Sequence, residues 1–321
     1  MKKPLIILTG PTAVGKTALS IKLARAIDGE IISADSVQVY RRMDIGSAKI
    51  TKQEMEGIPH YLIDVLEPEE DFNVMVFQQM AKKAMDEIYA RGKIPIITGG
   101  TGFYIQAVLN DISFTETDAD DELRKKLEEE AEQNGADALH QKLQAVDPKA
   151  AEEIHPNNVK RVIRALEFYL ETGKKISEHN AAERQKESPY NFAYFVLNMD
   201  RQKLYSRIEL RVDQMLEAGL VEEVRQLKQE GCQKGMVSMQ ALGYKEILSW
   251  LNGECTFDEA ISILKRDTRR FAKRQLTWFR REKDVCWIEK EQYDNDEDRI
   301  LNAMIRILYE KGILTDQSIS F

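Results

Sequence analysis

The eight residues Gly10–Thr17, GPTAVGKT, constrain the fold of this chain more than any other segment. They follow the apolar run Pro4–Leu8 and precede a helical pattern that begins at Ala18. In a strand, loop and helix in this order, successive backbone N–H groups point into one concavity and bind phosphate oxygens. The segment, hereafter the phosphate loop, therefore predicts a polyphosphate site, and the molecule that carries the phosphates stays open.

The side chains of the phosphate loop have distinct expected tasks. Lys16 is predicted to contact the outer phosphate, and the Thr17 hydroxyl is predicted to ligate Mg²⁺. The two glycines permit backbone angles and close approaches that a Cβ forbids. The predicted phosphate-binding residues are Gly10, Pro11, Thr12, Ala13, Val14, Gly15, Lys16 and Thr17.

The composition indicates a large folded chain without a membrane segment. Its 321 residues are 43% hydrophobic and 31% charged, enough for one large domain or two smaller ones. No apolar run approaches the ~20 residues of a membrane span. Cys232, Cys255 and Cys286 are far apart and form no C-x-x-C pair, so neither a disulfide framework nor a zinc site is indicated. We expect a cytoplasmic protein that works as a monomer.

Four short apolar runs in the first part of the chain each end in small or polar residues. The runs are Leu5–Leu8, Ile31–Ile32, Tyr61–Ile63 and Ile94–Ile97. Helical patterns separate them, which predicts an α/β fold with a parallel sheet like that of P-loop NTPases, flanked by helices. Ligands of such sheets gather at the carboxyl ends of the strands, so Asp35, Asp64 and Thr101 are expected near the phosphate loop.

The pattern changes to polar helices near residue 115. We interpret residues 115–192 as an all-helical insertion domain, and residues 1–114 and 193–321 as the catalytic core with a helical C-terminal part. Within the insertion, a helix is predicted between a cap at Asn157 and a stop at Gly173. A strand resumes near Tyr194, and residues 285–288 predict one late strand.

Two aspartates compete for the chemistry of the site. Asp35 follows the second run, where a carboxylate can accept a proton or bind a substrate amine; a solvated turn residue is the alternative. Asp64 ends the Tyr-Leu-Ile-Asp segment, which imitates a Walker-B strand, so the residues alone do not rank the two. The Gly99–Gly102 segment after the fourth run lets a second backbone approach a ligand, or forms only a tight turn.

Three clusters of basic residues are candidates for anion binding. Arg207 and Arg211 lie one helical turn apart and can converge on one anionic group. The segment Lys160–Arg164 carries three bases on the insertion helix, and phosphate contact and a solvated face are equally compatible with it.

The third cluster runs against the overall net charge of −8, because the segment 264–283 holds nine basic and two acidic residues. Leu264, Phe271 and Trp278 recur every seven residues there and predict a buried stripe rather than base-stacking platforms. Arg266, Arg270 and Arg274 recur every four residues and predict a track for RNA phosphates.

Several segments together resemble the tRNA dimethylallyltransferase family, also called tRNA isopentenyltransferases. They are GPTAVGKT, DSVQVY and GSAK within residues 35–49, GIPHYLIDV at 57–65, GGTGFY at 99–104, LGYKE at 242–246 and the basic segment 269–281. The segments occur in the family's order and span nearly the whole chain. The resemblance is to the bacterial type, without the zinc-finger extension of eukaryotic relatives.

The resemblance implies transfer of a dimethylallyl group from dimethylallyl diphosphate to N6 of the adenosine immediately 3′ of the anticodon, with release of diphosphate. The phosphate loop would then hold the diphosphate with Mg²⁺ at Thr17, and Lys16 with Arg207 or Arg211 would stabilise its charge. Asp35 would accept the proton, and Thr101 would orient the amine or a diphosphate oxygen. The residues implied in tRNA binding are Asp35, Ser36, Val37, Gln38, Thr101, Arg124, Lys160, Arg161, Val162, Ile163, Arg164, Gln240, Gly243, Tyr244, Lys245, Arg270 and Arg274.

Two other classes of protein use the same loop. A small-molecule kinase would bind ATP there and place Asp35 or Asp64 at its acceptor, but it would not account for the basic C-terminal helix. A nucleic-acid-binding ATPase would need a second set of ATPase motifs, and none is apparent in the sequence.

Overall fold

The computed structural model describes residues 2–114, 121–183 and 185–315. The strands of these residues are β1 (Lys3–Thr9), β2 (Gly29–Ala34), β3 (His60–Tyr61), β4 (Ile94–Gly99), β5 (Tyr190–Asn198) and β6 (Val285–Glu289). The helices are α1 (Lys16–Ala26), α2 (Val74–Ala90), α3 (Gly102–Leu109), α4 (Asp121–Asn134), α5 (Ala136–Val146), α6 (Pro148–Glu153), α7 (Val159–Thr172), α8 (Ile176–Glu183), α9 (Arg201–Glu217), α10 (Leu220–Gln229), α11 (Tyr244–Leu251), α12 (Phe257–Phe279) and α13 (Glu297–Glu310).

The six strands form one parallel sheet in the order β3-β2-β4-β1-β5-β6. The central strands are buried on both faces, as parallel strands covered by helices are, which explains their nearly continuous apolar runs. Side chains alternate between the faces: Leu5 and Ile7 belong to one core cluster, and Ile6 and Leu8 to the other. The predicted fold class, a P-loop-like parallel sheet flanked by helices, is confirmed.

Side-chain caps fix where the long helices near the sheet begin. Asp200 accepts hydrogen bonds from Gln202 N and Lys203 N at the start of α9. Thr256 and Glu259 form a reciprocal capping box at the start of α12. These two helices carry most of the basic residues that the sequence singled out, so their starting points set where those cations lie.

The chain forms two compact units, residues 1–109 with 189–321 and residues 110–188. The predicted insertion, 115–192, differs from the second unit at both ends. Residues 190–192 belong to β5, and residue 115, the predicted first residue, lies outside the described residues. No helix within residues 2–114, 121–183 and 185–315 is long and apolar enough to cross a membrane.

The second unit has a core of its own, built from α4 to α7 around residues such as Leu139 and Leu166. Its helix α7 ends as predicted, because Gly173 adopts the left-handed conformation with φ 68°. The predicted cap at Asn157 is wrong by one residue: Asn158 is the N-cap, and its side chain makes no capping hydrogen bond.

Candidate active site

The phosphate loop connects β1 to α1 and requires glycine at two positions. Gly10 and Gly15 have φ values of 149° and 101°, which favour glycine. A Cβ at Gly10 would lie 2.5 Å from the Leu197 carbonyl oxygen, so β5 packs directly against the loop. The loop ends at the N-terminus of α1, where loops with this motif bind phosphate.

The Lys16 ammonium folds back over the phosphate loop. Its Nζ donates hydrogen bonds to the carbonyls of Gly10 and Pro11, at 3.0 and 2.9 Å. The pKa of Lys16 is lowered to about 7: burial is the largest cause, the Arg211 charge adds to the lowering, and Asp35 opposes it. In the free protein, burial and the nearby Arg211 thus disfavour the charged form of Lys16. A bound anion would stabilise that charge.

A cavity of about 450 Å³, the first cavity, opens over the phosphate loop. Among the predicted site residues, it brings together Lys16, Thr17, Asp35, Arg207 and Arg211, with Thr12, Ala13, Gly15 and Gln38 also on its walls. Arg207 Nε donates to the Ala13 carbonyl at 2.9 Å, so this guanidinium also braces the loop. Burial lowers the pKa of Arg211, which Asp35 opposes and Arg207 reinforces. The first cavity is therefore a cationic site with one carboxylate.

A second cavity of about 340 Å³ shares its wall with the first. The shared residues are Thr12, Asp35, Gly100, Arg211, Phe271 and Gln275. The second cavity also has apolar walls from Val37, Ile208, Val212, Met215, Leu242 and Leu264, and it contains Thr101 and Ser36. A cationic cavity and a partly apolar cavity thus share a wall that includes Asp35.

Asp35 and Asp64, which the sequence did not rank, lie in different surroundings. Asp35 follows β2, and its Oδ1 accepts hydrogen bonds from Val37 N at 2.9 Å and Gln38 N at 3.3 Å. Asp64 pairs with Lys49 at 2.5 Å and lines neither cavity. Asp64 is therefore not in the cavity over the phosphate loop; β3 before it is only two residues long, and Leu62 has φ 63°.

Gln275 joins the two glycine-rich loops of the site and was missed by the sequence reasoning. Its buried side chain accepts from Thr12 N at 2.9 Å and donates to the Gly100 carbonyl at 3.0 Å. A Cβ at Gly100 would lie 2.1 Å from Gln275 Nε2, which explains this glycine. The sequence offered one signal for Gln275: it lies four residues after Phe271, on the helix face that the sequence assigned to the core.

We predict that Gln275→Leu weakens binding of inorganic diphosphate by up to about 30-fold, because two hydrogen bonds that hold the loops together, each worth about 1 kcal/mol, are lost. Titration calorimetry measures the affinity. Gln233→Leu, an exposed glutamine outside both cavities, is the matched control. Equal affinities for the Gln275→Leu variant and the wild type would contradict the bracing role.

Glu223 organises the GSAK segment and was also missed. Its carboxylate accepts hydrogen bonds from the backbone N–H groups of Asp44, Ile45 and Gly46, and from the Tyr244 hydroxyl at 2.7 Å. The Tyr244 ring is fully buried, and a Cβ at Gly46 would lie 2.6 Å from it. The Tyr244 side chain therefore has a structural role, and the prediction that this side chain contacts RNA is wrong.

The neighbours of Tyr244 in the predicted RNA-binding segment keep positions at the site. Gln240, Gly243 and Lys245 line the second cavity. Gln38 lines the first cavity, where its amide donates to the Ala48 carbonyl at 3.2 Å.

Helix α12 differs from its predicted two-face arrangement. Leu264 is buried, but Phe271 and Trp278 are only half-buried, and Phe271 lines both cavities. The buried face of the helix instead includes Ala272, Gln275 and Phe279. The predicted core stripe is wrong at Phe271, which lines the open site, whereas Trp278 is partly buried and packs against the core.

The predicted RNA-binding residues of the second unit separate into surface and core. Lys160 and Arg161 are exposed and Arg164 is half-buried. Val162 and Ile163 are buried in the core of the unit, so their predicted RNA contact is wrong. The helical period directs these two apolar side chains of α7 towards the core of the unit.

Arg124, the remaining predicted contact of this unit, forms a two-bond ion pair with the buried Glu167, at 2.8 and 3.0 Å. The guanidinium thereby neutralises a carboxylate in the interior of the unit. This pairing gives Arg124 a structural task that the sequence did not indicate.

Lys290 is a third residue that sequence reasoning missed. It follows β6, is 6% exposed, and donates from Nζ to the Val14 carbonyl at 3.3 Å. Burial lowers its pKa. Two lysines therefore contact carbonyls of the phosphate loop: Lys290 contacts Val14, and Lys16 contacts Gly10 and Pro11. Both lysines add to the positive charge of the site.

The parallel sheet carries a phosphate loop, two arginines and a carboxylate at the carboxyl ends of its strands. This arrangement is typical of α/β enzymes that act on phosphate-containing substrates. The family model "IPP transferase" matches residues 38–282. A tRNA dimethylallyltransferase of Lachnoclostridium phytofermentans is 62% identical over 312 residues, which cover 97% of this chain and 99% of the relative. The chain belongs to the IPP transferase family.

Solved structures agree with this relationship. The tRNA isopentenylpyrophosphate transferase of Bacillus halodurans has a TM-score of 0.73 and 46% identity, with 97% of this chain and 98% of that chain covered. A eukaryotic dimethylallyltransferase acting on tRNA has a TM-score of 0.80 and 33% identity, with 95% and 78% covered. The predicted family and reaction class, a tRNA-modifying prenyltransferase, are confirmed, and the kinase alternative is not favoured.

Proposed function

We propose that this protein transfers the dimethylallyl group of dimethylallyl diphosphate to N6 of the adenosine immediately 3′ of the anticodon in tRNA. The products are N6-dimethylallyladenosine and diphosphate. The observation that carries the proposal is the meeting of the first cavity, which is cationic, with the second, which is partly apolar, at the Asp35 carboxylate. A donor with an anionic diphosphate and an apolar five-carbon chain matches that arrangement.

The phosphate loop, Lys16, Arg207 and Arg211 would bind the diphosphate of the donor. As the allylic C–O bond breaks, its electron pair and negative charge pass to the departing diphosphate. Preorganised N–H groups and cations stabilise that charge most strongly in the transition state, where it is largest. The loop thus acts as a leaving-group site, with Arg207 held against it through the Ala13 carbonyl.

Asp35 would accept the proton that N6 loses when its bond to the allylic carbon forms. The hydrogen bonds from Val37 N and Gln38 N hold one carboxylate oxygen in a fixed turn. This fixed orientation favours proton acceptance at a defined position between donor and acceptor. Thr101, on the wall of the second cavity with Asp35, would orient the amine.

The oxygen donors in the first cavity fit a magnesium ion. Thr17 supplies a hydroxyl on the wall of the first cavity, and Mg²⁺ binds to protein through one or two oxygens with phosphates and waters as its other ligands, which leaves the Asp35 carboxylate for the proton. The ion would neutralise charge on the diphosphate. Thr17 would hold it, as the motif predicts.

The adenosine has to leave the stack of the anticodon loop to reach Asp35, at a cost of a few kcal/mol. Contacts of Ser36, Val37, Gln240, Gly243 and Lys245 in the second cavity would offset that cost. On the second unit, the exposed Lys160 and Arg161 are suited to RNA phosphates, with Arg164 beside them. We further propose that the enzyme acts as a monomer in the cytoplasm.

The proposal is tested by incubating the protein with Mg²⁺, labelled dimethylallyl diphosphate and a tRNA that has the target adenosine. We expect label on N6 of that adenosine and release of diphosphate. A tRNA with guanosine at the position is the control and should stay unlabelled. Unlabelled tRNA together with transfer or hydrolysis of the γ-phosphate of ATP would refute prenyl transfer in favour of a kinase or an ATPase.

We predict that Thr17→Ala raises the Mg²⁺ concentration needed for half-maximal transfer by about 10-fold or more, since a ligand of the ion is lost. Thr17→Ser keeps the hydroxyl and should stay close to the wild type. The measurement is the transfer rate across a magnesium titration. An unchanged titration for Thr17→Ala would remove Thr17 as a ligand.

A further inference from the structure

Lys290 is a buried cation that contacts the phosphate loop but lines neither cavity. It directly follows β6, the edge strand of the sheet, at the carboxyl end where ligands of parallel sheets gather. Its neighbours in the chain are anchored: Glu289 accepts hydrogen bonds from the Asn198 amide at 2.9 and 3.1 Å, and Glu291 accepts one from Asp200 N at 3.0 Å. These bonds fix the backbone from which the Lys290 side chain extends.

The Lys290 ammonium contacts the loop at the peptide group between Val14 and Gly15. Its Nζ donates to the Val14 carbonyl at 3.3 Å and lies 3.1 Å from where a Cβ on Gly15 would be. This peptide is trans, so its C=O and N–H point in opposite directions and the Gly15 N–H is directed away from Lys290. Gly15 lines the first cavity. The peptide group therefore lies between the ammonium and that cavity.

The positive charge of Lys290 has no ion-pair partner within residues 2–114, 121–183 and 185–315. The two carboxylates that raise its pKa pair with other lysines: Glu297 lies 3.5 Å from Lys22 Nζ, and Glu291 lies 3.6 Å from Lys203 Nζ. Lys290 thus carries a buried charge that its protein surroundings compensate only in part.

A second cation lies at the same residue of the loop. Arg207 Nη2 is 3.9 Å from the Cβ position on Gly15, which Lys290 Nζ approaches to 3.1 Å. Burial lowers the pKa of Lys290, and the Arg207 charge adds to the lowering. Two like charges at one backbone position repel each other in the free protein, and an anion bound to the loop would offset this repulsion.

The stability of the free protein does not explain a lysine at this position. A buried ion is unfavourable unless it is paired, and an apolar side chain of similar length would fill the same space without that penalty. The single hydrogen bond of Nζ, at 3.3 Å, is longer than most and offsets little of it. A charged group kept under such conditions beside a ligand cavity is typical of functional sites.

We propose that Lys290 is a positioning residue for the diphosphate, which it serves through the peptide group between Val14 and Gly15. By holding the Val14 carbonyl, Lys290 keeps the Gly15 N–H directed at a phosphate oxygen. Its charge also polarises the peptide group, so that this N–H becomes a stronger donor. The inference rests on the proposed function and deepens it, because a stronger donor stabilises the departing diphosphate most when its charge is largest.

The test measures binding of inorganic diphosphate by calorimetry and the unfolding temperature of the free protein. We expect Lys290→Met to weaken diphosphate binding about 10-fold, as the loss of one hydrogen bond from a charged group does. The same variant should unfold at the wild-type temperature or above it, because a buried unpaired charge is removed. Lys290→Arg keeps the charge and should bind diphosphate more tightly than Lys290→Met. Lys203→Met, which removes an exposed charge paired with Glu291, is the matched control and should bind like the wild type.

The outcomes separate Lys290 from the reaction itself. Wild-type affinity for diphosphate in Lys290→Met would overturn the positioning role. Weaker binding together with a lower unfolding temperature, and no recovery of affinity in Lys290→Arg, would also overturn it, since Lys290 would then only support the fold of the loop. If Lys290→Met weakens diphosphate binding as expected but the wild type transfers no dimethylallyl group to tRNA, the role of Lys290 stands and the proposed function fails.

Discussion

Replacing Asp35 with asparagine is expected to slow dimethylallyl transfer by about 10²- to 10⁴-fold, the usual contribution of a general base. The amide oxygen can still accept the hydrogen bonds from Val37 N and Gln38 N, so the local turn should persist. Binding of tRNA should change little for the same reason. Single-turnover transfer with saturating substrates measures the chemical step directly.

Asp64→Asn provides the matched control for this experiment. Both aspartates follow apolar runs, but Asp64 pairs with Lys49 and lines neither cavity. We expect transfer by Asp64→Asn close to the wild-type rate. A near-normal rate for Asp35→Asn, or an equal loss for the two variants, would contradict the assignment of Asp35 as the proton acceptor.

Replacing Lys16 with methionine should lower the transfer rate by about 10²- to 10³-fold, as the loss of one donor to a developing anion does. The same lysine should make diphosphate binding depend on pH. In the free enzyme the pKa of Lys16 is lowered to about 7, and a bound anion raises it again. Binding then takes up a proton above about pH 7, so affinity falls as the pH rises from there towards the pKa of the complex. Below about pH 7 Lys16 is already protonated in the free enzyme, so diphosphate binding takes up no proton at this residue.

Calorimetry at pH 8 in buffers of different ionisation enthalpy measures this uptake. Diphosphate itself titrates, so the relevant quantity is the difference between the wild type and Lys16→Met. Lys22→Met is the matched control, because Lys22 lies on the same helix but pairs with Asp298 at 2.8 Å. Identical proton uptake by the wild type and Lys16→Met would contradict a lowered pKa of Lys16 in the free enzyme.

The parts of the site that could be predicted from the sequence are local. The phosphate loop follows from one segment with its flanking strand and helix, and the apolar runs that predict β1, β2 and β4 are long because both faces of those strands are buried. The position of Asp35 follows from the end of β2. No distant contact is needed for any of these.

The parts that could not be predicted depend on residues far apart in the chain. Gln275 reaches Thr12 across 263 positions, and Lys290 reaches Val14 across 276. No local sequence pattern predicts such long-range hydrogen bonds. Similarly, Tyr244 lies in a segment that is predicted to bind RNA, and only the three-dimensional packing, with Gly46 against its ring, reveals that it is buried.

The central claim is that the phosphate loop holds the departing diphosphate of a prenyl donor. A crystal structure with Mg²⁺ and an unreactive dimethylallyl diphosphate analogue, in which sulfur replaces the bridging oxygen, tests it most directly. We predict diphosphate oxygens on the backbone N–H groups of the loop, Lys16 Nζ moved from the Gly10 and Pro11 carbonyls to a phosphate oxygen, and the five-carbon chain directed towards Asp35. An analogue whose diphosphate lies away from the loop, with Lys16 still on those carbonyls, would contradict the claim.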